Sequence, residues 1–234
     1  MNELEDPIVL FIKFGSEENI KSLYENGIVY LNTIEYFQKL EDKGVRGDKF
    51  EGTLNIKNYE STEKLRLEIT DTKTGDKMDI KPSKLQLRHY DSYPKGNLYS
   101  LYCIKRSDFL NADEFTIDSK VKAFGSHALF IRGTKNFINK LTSEIQKLNM
   151  SYKAKPVEYY DNENTNGPIN LFQKVQEYKY QNEYRIIVQN NKQEPIKVSI
   201  GSLKEYSEMF ALDALEDLKI VANRKNNGIQ NNLL

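Results

Sequence analysis

The sequence predicts an α+β fold: a mixed, mainly antiparallel sheet with flanking helices and a β-rich insertion. Three observations predict it. Strand, helix, strand and helix signals alternate over residues 8–40, short β-like runs fill about 53–104, and isolated apolar runs surround one amphipathic helix after residue 127. At 234 residues the chain has the length of one ordinary core. The expected organisation is one domain over 1–222, with the insertion at about 53–104 inside it and a flexible tail over 223–234.

Ile8-Val-Leu-Phe-Ile-Lys-Phe14 is an apolar run of strand length closed by Gly15. Ser16 caps a helix over 17–26, Ile20, Leu23 and Tyr24 mark its inner face, and Gly27 suits the left-handed residue that ends it. A strand over 28–31 leads to Asn32 or Thr33 as a second cap, with Glu35 in the first turn and Tyr36, Phe37 and Leu40 on one side. After a polar connection over 41–52, residues 53–59, 65–70 and 77–81 read as strands. The alternation Leu65-Arg-Leu-Glu-Ile69 predicts a half-exposed hairpin, and an apolar strand ends at Ile104.

His127-Ala-Leu-Phe-Ile131 is a further strand. Thr134 caps a helix that bears Phe137, Ile138, Leu141, Ile145 and Leu148 on one stripe. Then come a strand over 153–160, a turn-rich loop over 161–168 and a short helix through Phe172 and Val175. The strand that begins at Glu183, one over 196–200, a helical stretch near 203–215 and a strand over 218–221 complete the chain.

Composition narrows the function. Lys and Arg total 34 against 34 Asp and Glu, so no global field draws the chain to phosphate backbones or anionic lipid, and a nucleic-acid partner is not expected. No apolar run approaches the roughly 20 residues that span a bilayer, and Met1–Pro7 lacks the features of a signal peptide, so a cytoplasmic protein is expected. The single Cys103 lies in an apolar run and reads as a buried thiol. With two His and one Cys no ligand set has zinc spacing, and no metal is predicted. Gly-rich phosphate loops of the two common types are absent, as is a nucleophile elbow. Gly125-Ser126-His127 sets a Ser beside a His, but neighbours on a strand face opposite sides.

Two stretches remain. In Tyr178-Lys-Tyr-Gln-Asn-Glu-Tyr-Arg-Ile-Ile-Val188, Glu183 and Arg185 stand two apart on a strand and share a face. Arg46-Gly-Asp-Lys-Phe-Glu-Gly52 carries a similar mix. Arg grips phosphate or carboxylate bidentately, and a carboxylate orients a ribose hydroxyl or stabilises an oxocarbenium-like centre. Tyr30, Arg46, Asp48, Glu51 and Arg185 are therefore candidate ligand-binding residues, with Glu183 the candidate catalytic carboxylate. The same residues also suit a structural network in which Arg46 pairs with Glu183, and Arg185 with Asp48 or Glu51. Both readings stand on the residues alone. Either way, the two stretches are expected within side-chain reach of each other.

At Leu31-Asn-Thr-Ile-Glu-Tyr-Phe37, Asp48-Lys-Phe-Glu-Gly52 and Tyr180-Gln-Asn-Glu-Tyr-Arg185 the chain resembles an uncharacterised family of bacterial and phage proteins, a domain of unknown function with Phe-Glu and Glu-Tyr-Arg motifs. Arg-Gly-Asp-Lys replaces that family's Asn-Asp-Pro, Tyr178 stands for its Trp, and Gln181 for the first Glu of its later motif. The resemblance implies a cytosolic α+β protein carried by mobile elements or found beside antiviral genes. Through Glu25-Asn-Gly-Ile-Val-Tyr30 the chain is also similar to ADP-ribosyltransferases. That likeness implies that Tyr30 packs on nicotinamide, that Glu183 is the catalytic carboxylate and that NAD is the cofactor. It departs where Lys13 or Phe14 replaces the His or Arg that meets the NAD ribose. Two functions are thus expected: a nucleotide-binding or NAD-using effector in phage–bacterium conflict, or a non-catalytic binding protein acting on a defence or anti-defence protein.

Overall fold

A computed structural model describes residues 6–40, 50–60, 66–91, 95–109, 114–214 and 219–221. The chain is α+β. It opens with β1 (Ile8–Gly15), α1 (Glu17–Asn26), β2 (Ile28–Thr33) and α2 (Ile34–Lys39). An accessory block follows, made of β3 (Thr53–Glu60), the hairpin β4 (Leu67–Thr70) and β5 (Lys77–Ile80), and β6 (Lys84–Tyr90). Next come β7 (Asn97–Lys105), β8 (Glu114–Thr116), β9 (His127–Ile131), α3 (Thr134–Lys147), β10 (Tyr152–Pro156), β11 (Glu158–Tyr160), β12 (Gly167–Pro168) and β13 (Gln173–Val175). The last strands are β14 (Glu183–Val188), β15 (Ile196–Ser199), β16 (Ser207–Ala211) and β17 (Lys219–Val221).

The main sheet has eight strands, with the path β10-β14-β7-β1-β9-β16 and with β2, itself carrying β15, also paired to β7. Its neighbours are antiparallel. Central β7 is apolar along most of its length because both of its faces are covered. Phe11, Tyr99, Leu101, Cys103, Tyr184 and Ile186 project to one face, where α1 adds Ile20 and Leu23 and α3 adds Phe137, Leu141 and Ile145. Ile12, Tyr102, Ile104 and Ala128 project to the other, against Val121 and Leu212.

The opening unit follows its local signals. Ser16 Oγ accepts from the Asn19 N–H, and Gly27, at φ 62°, donates its N–H to the Leu23 carbonyl. Thr33, not Asn32, caps α2 through the Tyr36 N–H. Because α1 returns the chain to β7, β1 and β2 share one edge of that strand. β1 pairs with it from Tyr102 to Lys105 and β2 at Leu98 and Asn97. Between them the sheet is split, and the Ser100 carbonyl takes Lys13 Nζ at 2.8 Å.

Several expectations are corrected. The β-rich stretch at 53–104 divides: β3, β6 and β12 form a three-stranded sheet and β4 and β5 a hairpin, whereas β7 is the middle of the main sheet. The β4–β5 hairpin is exposed on both faces rather than half-buried. The described part of the helical stretch expected near 203–215, residues 203–214, is not an α-helix. There β16 takes the free edge of β9 and a 3-10 turn at Leu212–Ala214 ends it, so an available sheet edge overrides helical propensity. Residues 173–175 are a strand parallel to β11, and the helical turn falls later, at Gln176–Gln181. The expected strand over 153–160 breaks at Val157, so that β10 pairs with β14 and β11 with β13. Gly133 is the cap residue of α3, and Thr134 Oγ1 donates instead to the Ile8 carbonyl. The tail over 223–234, Arg46 and Asp48 lie outside the described residues.

Candidate functional site

Glu183 opens β14 and pairs with Tyr102, and Arg185 pairs with Ser100, so both side chains leave the face turned away from α1 and α3. Glu51, just before β3, reaches the same point. Arg185 Nη1 and Nη2 donate to Glu51 Oε1 and Oε2 at 2.9 and 2.7 Å, a fork-to-fork pair. Its Nε donates to Glu183 Oε1 at 2.8 Å, and Nη1 also donates to the Leu171 carbonyl. Ser100 Oγ donates to Glu183 Oε1 as well. The Glu51 and Glu183 stretches therefore meet, with Glu51 as the residue that bridges them.

Lys174 of β13 completes the group. Its Nζ stands 2.8 Å from Glu183 Oε2, an ion pair rather than an aligned hydrogen bond, and donates to Gln181 Oε1 at 2.6 Å. Two carboxylates and two cations thus share one buried cluster whose formal charges cancel, and Arg185 is only 1% exposed. The backbone of Glu183 is held too, since its N–H donates to Tyr159 Oη and its carbonyl accepts the Val157 N–H. Burial alone would raise the Glu183 carboxyl. The charges of Arg185 and then Lys174, with the Arg185 hydrogen bond, outweigh it and hold Glu183 well below the usual carboxylate range. Burial likewise pulls the Arg185 guanidinium down, and Glu183 and Glu51 push it above its ordinary value.

A cavity of about 540 Å³ lies at the split in the sheet. Lys174, Gln181, Glu183, Arg185 and Glu51 form one wall, and Tyr30, Tyr36 and Phe37 another. Its lining includes Ile12, Lys13 and Phe14 in succession, and Leu98 to Tyr102 in succession. Successive strand residues face opposite sides, so the lining draws on residues of both faces of the sheet beside the gap between β1 and β2. On the α1 side it meets Ser16, Asn19, Ile20 and Leu23. The size is that of a small-molecule site. Tyr30 is 53% exposed at this cavity, and Tyr36 stands edge-on to Phe37 at 5.4 Å between ring centroids. Lys13 Nζ lies 4.2 Å from the Tyr99 ring centroid.

Elsewhere, Ser126 Oγ and His127 Nδ1 are 3.0 Å apart on an exposed corner. Cys103 is buried, and burial pushes its thiol up to about 12, beyond the range of a ready nucleophile. Among the described residues, no group of three or more His, Cys, Asp or Glu side chains is placed to hold a metal ion, and no helix is long and apolar enough to cross a membrane.

Lys174 and Ser100 were missed from sequence. Ser100 sits in an apolar strand and Lys174 between Gln173 and Val175, and only the lone Lys beside Phe172 and Val175 hinted at a buried partner. Fold and site together define an α+β protein with a split sheet and a charge-balanced buried cluster on a cavity wall. Compared with protein-family models, curated proteins and solved structures, the chain matches none.

Proposed function

We propose that the chain is a nucleotide-binding effector that acts on NAD or a related nucleotide, with Glu183 as its reactive carboxylate. The observation that carries the reading is the ionised, doubly held Glu183 on the wall of a cavity that also presents Tyr30. A buried four-charge cluster is a poor stabiliser, since well-packed apolar groups of the same volume serve as well or better. On a cavity wall it has another use. The Tyr30 ring offers a face to a base or nicotinamide, and Glu183 offers negative charge to a ribosyl carbon. As the bond from that carbon to the ring nitrogen breaks, the ring leaves with the electron pair. Glu183 stabilises the positive charge left on the sugar until water or an acceptor side chain adds and loses a proton. Arg185 and Glu51 hold the carboxylate in place. The setting in phage–bacterium conflict comes from the family resemblance.

The test is NAD consumption and nucleotide binding by the wild-type protein, beside Glu183→Gln. Turnover by wild type that falls about 10²-fold or more in the variant supports the reading. Wild type that neither binds nor consumes any of a broad nucleotide panel overturns it.

The second reading, a binding protein for a defence or anti-defence partner, is favoured by the β4–β5 hairpin. Leu67 pairs with Ile80 and Ile69 with Met78 across the strands, and Leu67, Ile69 and Met78 are exposed. A two-stranded hairpin is marginal alone, and an uncovered apolar face is a common mark of a protein contact.

A further inference from the structure

We propose that Lys174 is the positioning residue that keeps Glu183 charged at the cavity. The partition of hydrogen bonds carries this. Arg185 gives both ends of its fork to Glu51 and Nε to Glu183, so one guanidinium serves two carboxylates. Lys174 supplies the second positive charge, 2.8 Å from Glu183 Oε2 and with side chains 4% and 6% exposed. Lys174 is itself built in. Gln181 Oε1 holds its Nζ, the Tyr178 ring lies 5.5 Å away, and both come from the turn that follows β13. The parallel pairing of β13 with β11 sets Lys174 opposite Tyr159, whose hydroxyl accepts the Glu183 N–H. One short segment therefore aligns the ammonium and braces the strand it serves.

Among the described residues, the titratable and charged groups around Glu183 are Arg185 on its own strand, Glu51 beyond that guanidinium, Tyr159 of β11, Tyr102 and Cys103 of β7, and Lys174. Lys13 meets the cavity across the split, at the Ser100 carbonyl. Removing the Lys174 charge leaves two buried carboxylates sharing one guanidinium, and such a group binds a proton rather than carry a bare negative charge.

The sign of the pH dependence tests this. In wild type the folded Glu183 carboxyl lies below its unfolded value, so its contribution to stability is present above about pH 4 and lost on acidification. In Lys174→Met the folded carboxyl is expected to lie above its unfolded value, so that stability falls as pH rises between about 5 and 8. Thermal melts across that range are expected to show a falling midpoint for Lys174→Met and none for wild type or Lys174→Arg. A folded Lys174→Met with the wild-type slope would overturn the proposal. Should Lys174→Met fail to fold, Lys174→Met/Glu183→Gln decides: it leaves the Arg185–Glu51 pair balanced and is expected to fold, and if it is no better the proposal falls. The use of this charge in catalysis rests on the cavity reading above. With NAD as the probe, turnover by Lys174→Met is expected to rise with pH over the same range while wild type stays level. No turnover by wild type would end the cavity reading, and the melts would still judge Lys174.

Discussion

Replacing Glu51 by Gln should destabilise the protein more than any exposed charge substitution. The Glu51 carboxylate takes both ends of the Arg185 fork at 2.9 and 2.7 Å, and the pair is 5% and 1% exposed. Glu51→Gln keeps one acceptor oxygen but turns a cluster of zero formal charge into one of +1. Leaving an unmatched buried charge costs about 3–5 kcal/mol. Each kcal/mol is worth about 2–4 °C of melting temperature at this size, so the midpoint should fall by roughly 6–20 °C. Glu51→Leu/Arg185→Met removes a matched pair and leaves Lys174 with Glu183. It should lie within about 2 kcal/mol of wild type, giving a coupling energy of about 3 kcal/mol or more. Urea denaturation of Glu51→Leu, Arg185→Met and the double variant measures the cycle. Additive single effects under about 1 kcal/mol each, the behaviour of an exposed pair, would refute the reasoning.

Gly27→Ala should be costly because Gly27 has φ 62° and a Cβ there would lie 2.0 Å from the Gly201 carbonyl oxygen, a backbone atom that cannot swing away. A loss of about 2 kcal/mol or more in denaturant midpoint is expected, and an unchanged midpoint would show that the close approach is not real. Cys103 should resist a thiol reagent in the native protein and react at the rate of unfolding, since it is buried and its thiol is pushed up to about 12. Rapid labelling without unfolding would contradict its place in the core.

The fold was legible where local signals and tertiary demand agree. In the opening unit Ser16, the Ile20 and Leu23 face and Gly27 all indicate one helix, and α1 spans the expected Glu17–Asn26. Where tertiary pairing decides, the local pattern misled. The stretch near 203–215 reads as helical, but the open edge of β9 draws Ser207–Ala211 into the sheet. Lys84-Leu-Gln-Leu-Arg-His-Tyr90 alternates as β6 should, yet a polar strand between turn-like segments carries a weak signal. The role of β7 as a central strand was hidden because a continuous apolar run looks the same whether it closes an insertion or crosses the main sheet.

The site was half legible, for a reason of geometry. Glu183 and Arg185 share a face because residues two apart on a strand must, so that part of the cluster is written in adjacent sequence. Glu51 and Lys174 arrive from segments 134 residues before Arg185 and 9 before Glu183, through contacts that no spacing rule connects. Charge is what links them. A buried Glu-x-Arg strand that also faces a second carboxylate requires a second cation, and among the described residues Lys174 supplies it at 2.8 Å. The same balance explains why this cavity wall tolerates a charged Glu183 at all. Without Lys174, Arg185 would have to serve two carboxylates in a dry site, and burial is then expected to favour the neutral form of one of them. With Lys174 in place Glu183 stays ionised over the whole neutral range, as a carboxylate must if it is to meet positive charge developing in the cavity.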